Sequence, residues 1–202
     1  MKIERMDRRG FLVSALSGVA AGTAALSGGL AAGAARAAPE PAALPPIAPE
    51  FLPQAVRVRR DLPPGTIYVL SDRYFLYHIL KPGMAMRYGV AVGRAELQFR
   101  GRAEIARKVE WPSWRPTPEM IERNPAHYGK YADGMPGGPN NPLGARALYL
   151  YQDGHDTAIR IHGTTEPQSI GSSVSNGCIR MVNEHVMALY EQVPIGTPVT
   201  VF

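Results

Sequence analysis

From about residue 66 onward, apolar and polar positions alternate with a period near two, in runs rich in β-branched and aromatic residues. Residues 66–70 and 74–80 flank Ser71, Asp72 and Arg73, which predicts a hairpin. Residues 84–92 and 103–111 predict a third and a fourth strand. Two more are predicted over 145–151 and 157–162, joined around the turn from Gln152 to Asp156, and a last one over 198–202. Helical signals are few. Thr117 followed by Pro118 and Glu119 reads as an N-cap with proline in the first turn, for a short helix through Arg123. Asn183 reads as the cap of a second helix over 184–192, with Val186, Leu189 and Val193 facing inward and Pro194 and Gly196 ending it. Between strands, 124–144 is dense in Gly, Pro and Asn and too long for a plain connection, so it is read as a lid loop. The pattern predicts a mainly β domain, sandwich-like or barrel-like, with two short helices and a lid.

Upstream the pattern changes twice. Asp7-Arg8-Arg9-Gly10-Phe11-Leu12 sets a basic pair before an uncharged Ala/Gly-rich run to about Ala34, the layout of a signal peptide of twin-arginine type. Ala35-Arg36-Ala37 supplies a small-x-small cleavage site, so the leader is expected to span 1–37. Leucine is scarce in the run, which favours a cleaved leader over a membrane anchor. Residues 38–64 carry Pro39, Pro41, Pro45, Pro46, Pro49, Pro53, Pro63 and Pro64, a density that denies a helix and predicts an extended linker or arm. The folded domain is then 65–202, long enough for one core.

Removing the leader alters the charge picture. It holds five of the 22 basic and two of the 17 acidic residues, which leaves 17 and 15 and a net of only about +2. No basic run with interleaved aromatics survives, so no nucleic-acid partner is expected. Export implies a periplasmic protein that meets a membrane only in transit. A single cysteine, Cys178, cannot form an internal disulfide, and a free thiol outside the cytoplasm is either buried or used.

The sequence around it favours use. Ile159 and Ile161 alternate along a strand that delivers His162 to its end. After a Gly/Ser-rich stretch comes Ser175-Asn176-Gly177-Cys178-Ile179-Arg180-Met181, a loop able to fold back and set the thiol beside the imidazole. A thiol next to an imidazole is the minimum device for cysteine nucleophilic catalysis. Free Cys has a pKa near 8.5, so only about 3% is thiolate at neutral pH, and a hydrogen-bonded imidazole corrects that. The remaining histidines, His78, His127, His155 and His185, read as packed or surface residues. No metal site and no cofactor motif is identified.

His162-Gly163-Thr164 together with 175–181 resembles the signature of the YkuD-type L,D-transpeptidase catalytic domain. Tyr88-Gly89-Val90-Ala91-Val92-Gly93, Trp111-Pro112, Arg115-Pro116-Thr117-Pro118 and Gly138-Pro139-Asn140-Asn141-Pro142-Leu143-Gly144 are similar to stretches of members from Gram-negative envelopes. The resemblance implies a β fold and an acyl transfer. A peptidoglycan tetrapeptide stem acylates the cysteine, and the acyl group passes to an amine of another stem, to a lipoprotein lysine or to water. By position it implies Cys178 as nucleophile and His162 as base and acid, with the Gly163 carbonyl holding the second ring nitrogen. The N–H groups of Gly177 and Cys178 become the oxyanion donors. Arg180, Asn176 and Ser175 are then the substrate-binding candidates: Arg180 is suited to a stem carboxylate or to a structural ion pair, Ser175 to steering the loop, and Asn176, which stands where many members carry histidine, to hydrogen-bonding the thiol loop or the substrate. A hydrolase of the same fold, an L,D-carboxypeptidase or amidase, would share these residues, and a peptidoglycan-binding module with an inert thiol is the non-enzyme alternative.

Overall fold

The computed structural model describes residues 47–202. The expected leader and the arm up to residue 46 lie outside the described residues. β2 (Ile67–Leu70) buries all four of its side chains. Ile67 and Val69 enter one apolar cluster and Tyr68 and Leu70 another, so both faces are covered and the run reads as continuously apolar. β3 (Phe75–Lys81) pairs antiparallel with it, Ile67 opposite His78, in the hairpin expected from the sequence. Tyr74, at φ 59°, completes the reversal after a single 3-10 turn.

β4 (Met84–Gly89) continues the sheet, and β1 (Gln54–Arg57) lies beyond it at the edge. The last part of the arm is therefore an ordered edge strand. Pro53 precedes it and its side chains are mostly exposed, both suited to an edge. Val58 and Leu62, also before residue 65, are core residues. On the other side of β2 lie β11 (Pro198–Val201), β6 (Gly101–Glu110), β7 (Arg146–Gln152), β8 (His155–His162) and β10 (Ile179–Arg180). The nine-stranded order is β1-β4-β3-β2-β11-β6-β7-β8-β10. Within this sheet only β11 with β2 and β10 with β8 pair in parallel.

Right-handed twist curls a sheet of this length. Leu76 and Tyr88, near one end, share a cluster with Ile161 and Ile179 at the other, so the far strands enclose a common core as in an open barrel. α3 (Asn183–Gln192) fills that core with Val186 and Leu189. Lys108 donates from Nζ to the carbonyls of Tyr190 at 2.6 Å and Val193 at 2.8 Å, answering the unpaired carbonyls at the end of α3.

Three local expectations need correction. The strand over 84–92 stops at Gly89, whose missing Cβ would stand 2.4 Å from Phe51. Ala91 then exchanges hydrogen bonds of 2.9 and 2.8 Å with Arg180, and β5 (Val92–Gly93) pairs with β9 (Ser173–Ser175) as a separate two-stranded sheet. The lid contains a helix of its own. After α1 (Pro118–Arg123), capped by Thr117 as expected, α2 (Pro125–Tyr128) begins where Asn124 Oδ1 accepts from His127 N at 3.1 Å. Asn-Pro was a legible start signal, but four residues are too few for periodicity to show. Lastly, Asn183 is not a cap: Val182 holds that position without a side-chain bond, and Asn183 is used elsewhere.

Candidate active site

β8 carries Ile161 into the core and His162 to the opposite face, where the imidazole is only 4% exposed. Its Nδ1 lies 2.5 Å from the Gly163 carbonyl oxygen. A carbonyl only accepts, so Nδ1 carries the hydrogen and Nε2 keeps the lone pair. Burial, then the nearby charge of Arg180, pushes the His162 pKa down to about 4, although the carbonyls of Gly163 and Leu143 pull the other way. The ring is therefore neutral at physiological pH and able to accept a proton.

The backbone that holds this ring is close-packed. A Cβ on Gly163 would stand 2.1 Å from Asn183 Oδ1 and 3.0 Å from Ala145 N; one on Gly144, at φ 65°, would meet Asn183 Oδ1 at 2.2 Å and Thr164 N at 2.6 Å. Asn183 Oδ1 accepts from Ala145 N at 3.0 Å between the two glycines. Asn141, 1% exposed, donates to the Pro136 carbonyl at 2.9 Å and accepts from Leu143 N at 2.9 Å, and so sets the segment whose Leu143 carbonyl faces the imidazole. Asn141, Gly144 and Asn183 escaped the sequence reading of the site. Gly144 and Asn141 lie in the Gly138 to Gly144 stretch already singled out, whereas Asn183 was disguised by its place at a helix start.

Cys178 precedes β10, whose Ile179 pairs with Ile161 and Arg180 with His162. Ile179 faces the core, so strand alternation turns Cys178 to the same face as His162, with roughly 8 Å between their Cα atoms. The sulfur does not bond the ring as expected from the sequence. It donates to the Ala158 carbonyl at 3.8 Å, and no sulfur–imidazole hydrogen bond exists among the described residues. The thiol competes poorly for charge here: burial pushes its pKa up, against the lowering influence of the Arg160 backbone and the Arg160 and Arg180 charges.

Gly177, at φ 117°, adopts a conformation that favours glycine, and its N–H donates to Ser175 Oγ at 3.2 Å. The N–H expected to face an oxyanion is thus directed at Ser175 Oγ. Cys178 N–H has no acceptor among the described residues. Ser175 also donates to the Cys178 carbonyl at 2.5 Å, the loop-steering part read for it. Arg180 forms an ion pair with Glu166 at 2.7 Å, which is the structural half of its two readings.

Asn176 ties the loop to the lid. Its Oδ1 accepts from Arg123 Nη2 at 3.0 Å and its Nδ2 donates to Tyr128 Oη at 3.1 Å. Trp114 packs against Tyr128 and Tyr131, with ring centroids 6.3 and 5.6 Å apart, under the same segment. An open groove of about 440 Å³ flanks the site on the Thr164 side, lined by Pro139, Asn140, Thr165, Val182 and Glu184 but not by Cys178. Among the described residues no three His, Cys, Asp or Glu side chains cluster as metal ligands. His78 and His185 are buried and His127 and His155 exposed.

The family model described as the YkuD L,D-transpeptidase catalytic domain matches residues 64–201. A putative L,D-transpeptidase of Fuscovulum blasticum is 43% identical over 108 residues, 52% of this chain and 51% of its own. Putative L,D-transpeptidase YqjB of Bacillus subtilis is 36% identical over 142 residues, 68% of this chain and 72% of its own. The chain spans about half the length of the first of these and of the Escherichia coli ErfK/SrfK relative. Among solved structures, a Brucella melitensis protein named as a probable carnitine operon oxidoreductase is 55% identical, with TM-score 0.54 and coverage of 77% of this chain and 96% of that one. An Enterococcus faecium L,D-transpeptidase shares the fold at 16% identity and TM-score 0.53, over 70% of this chain and 50% of that one.

Proposed function

The chain belongs to the YkuD L,D-transpeptidase catalytic domain family, and from that premise we propose that it is a cysteine-dependent L,D-transpeptidase acting on peptidoglycan tetrapeptide stems. The observation that carries the reading is the fixed imidazole. His162 presents a lone-pair Nε2, its Nδ1 hydrogen held by Gly163, on the face that also bears Cys178. Rotation about χ1 moves the sulfur along β8, from Ala158 towards His162. His162 Nε2 then takes the thiol proton as sulfur bonds to the stem carbonyl carbon, and the oxyanion that forms meets Cys178 N–H. On collapse the carbon–nitrogen bond breaks, the departing amine of the terminal residue receives the proton from His162, and a thioester remains. An acceptor amine attacks it, gives a proton to His162, and Cys178 leaves and is reprotonated. Amide is exchanged for amide, so no nucleotide triphosphate is consumed. The acceptor is the amine of a second stem or of an envelope protein lysine.

The leader at 1–37 supports action in the periplasm after export by the twin-arginine route. The reading is tested by incubating the purified protein with tetrapeptide muropeptides. New 3-3 dimers with release of the terminal residue support it; tripeptides without dimers would assign a hydrolase in its place.

A further inference from the structure

One row of side chains crosses the sheet towards Cys178 and takes no part in the steps above. Arg107 on β6 is paired with Tyr149 on β7, and Tyr149 with Arg160 on β8, so the three side chains share a face. The register of β10 continues the row to Cys178. The Tyr149 ring lies between two cations: the guanidinium carbon of Arg160 is 4.1 Å from its centroid and that of Arg107 4.9 Å. Asp156 clamps Arg160 from both nitrogens, at 2.6 and 2.8 Å. Arg107 is exposed; its guanidinium is within bonding distance of no carboxylate among the described residues, although its charge helps to lower the Asp156 pKa. The row therefore holds two cations and one carboxylate, which both cations share, and so carries an excess of one positive charge.

We infer that Arg107, stacked on Tyr149, is a subsite for a carboxylate of the peptide whose scissile carbonyl reaches Cys178. Three strand spacings separate the ends of the row, roughly 14 Å. An extended peptide of four residues covers about 13 Å. A stem lying across the strands thus brings a carboxylate to Arg107 while its reacting end is at the thiol. Tyr149 limits the guanidinium's motion and presents a flat apolar wall to the peptide backbone. This inference rests on the stem-peptide reading, whereas the Arg180–Glu166 pair has no part in it.

The test measures binding to the full chain carrying Cys178→Ala, so that turnover is not needed. An acidic tetrapeptide stem and the same peptide with its carboxylates amidated are titrated by calorimetry, with and without Arg107→Ala. The acidic peptide should bind the parent more tightly than the amidated one, with a preference that shrinks as salt is raised. Arg107→Ala should weaken the acidic peptide about five- to tenfold and leave the amidated one unchanged, and Arg107→Lys should recover part of the loss. Equal affinity of Arg107→Ala and parent for the acidic peptide would overturn the subsite alone. Failure of the parent to bind either peptide would overturn both the subsite and the substrate. Normal binding by a protein whose Cys178 is never acylated would support the subsite and remove the catalytic reading.

Discussion

The two sides of the site are built differently. Around His162 the backbone is dry and close-packed, with Gly144 and Gly163 meeting across Asn183 Oδ1 at separations no side chain could enter. Around Cys178 the contacts add polar side-chain bonds, from the buried Ser175 to the Cys178 carbonyl and from the half-buried Asn176 outward to Arg123 and Tyr128 of the lid. The imidazole is fixed by packing, which has no low-energy alternative. The lid beside the thiol is tied to it by bonds on exposed or half-buried groups, which water can replace at little cost. Under the proposed function such an arrangement lets the proton acceptor stay still while the lid admits first a stem and then an acceptor.

The largest break in this contrast is Gly163→Ala. Its Cβ collides with Asn183 Oδ1 and the Ala145 backbone, so a loss of about 3 kcal/mol or more in urea unfolding is expected, together with loss of turnover. Gly129→Ala, with nothing within 4 Å of its Cβ and a helical φ of −58°, is the control and should be neutral or slightly stabilising. A comparable loss from both substitutions would remove the distinction between the two sides.

Acid should find the same wall. The His162 pKa is about 4 in the fold against an ordinary 6.5, so the unfolded chain binds the proton more readily. The stabilisation is complete above pH 6.5 and is lost as pH falls towards 4, by roughly 3 kcal/mol. Burial lowers His78 and His185 as well, in the same direction. Thermal melts from pH 7 to 4 check this, and a flat melting temperature would show that the imidazole is not held neutral.

Much of this was legible beforehand, and the misses have physical causes. The run of β-branched and aromatic residues located β2, β3, β6, β7 and β8, each of which buries at least one side chain. It could not tell that Val90 and Ala91 leave the main sheet to brace Arg180, since a strand switching partners keeps its period. His162 and Gly163 were legible as a motif, and the Gly163 carbonyl lies where the resemblance placed it. That Ser175 Oγ accepts from the Gly177 N–H two residues later is a contact that spacing does not reveal. Asn183 was misread because the residue type that caps a helix also bonds backbone across a gap.

Asn183→Ala gives a smaller effect. It leaves Ala145 N–H without its partner and opens the space between the glycines, which is expected to cost about 1–3 kcal/mol and lower kcat more than it raises KM. An unchanged kcat would mean that Gly163 holds the ring without help. The smallest effect is expected at the lid. Asn176→Ala removes two exposed or half-buried bonds, so stability should change by about 1 kcal/mol or less, with KM shifting a few-fold. Hydrogen exchange of 118–131 should speed up in that variant; unchanged exchange would show that the aromatic packing of Trp114 holds the lid alone.

The most direct test of the pairing of Cys178 with His162 is intact-mass analysis after the protein is mixed with a tetrapeptide stem and no acceptor amine. The account predicts release of the terminal residue and one acyl adduct on Cys178, absent in Cys178→Ala and at least about 100-fold slower to form in His162→Ala. Adduct formation at the parent rate in His162→Ala, or turnover by Cys178→Ala, would contradict it.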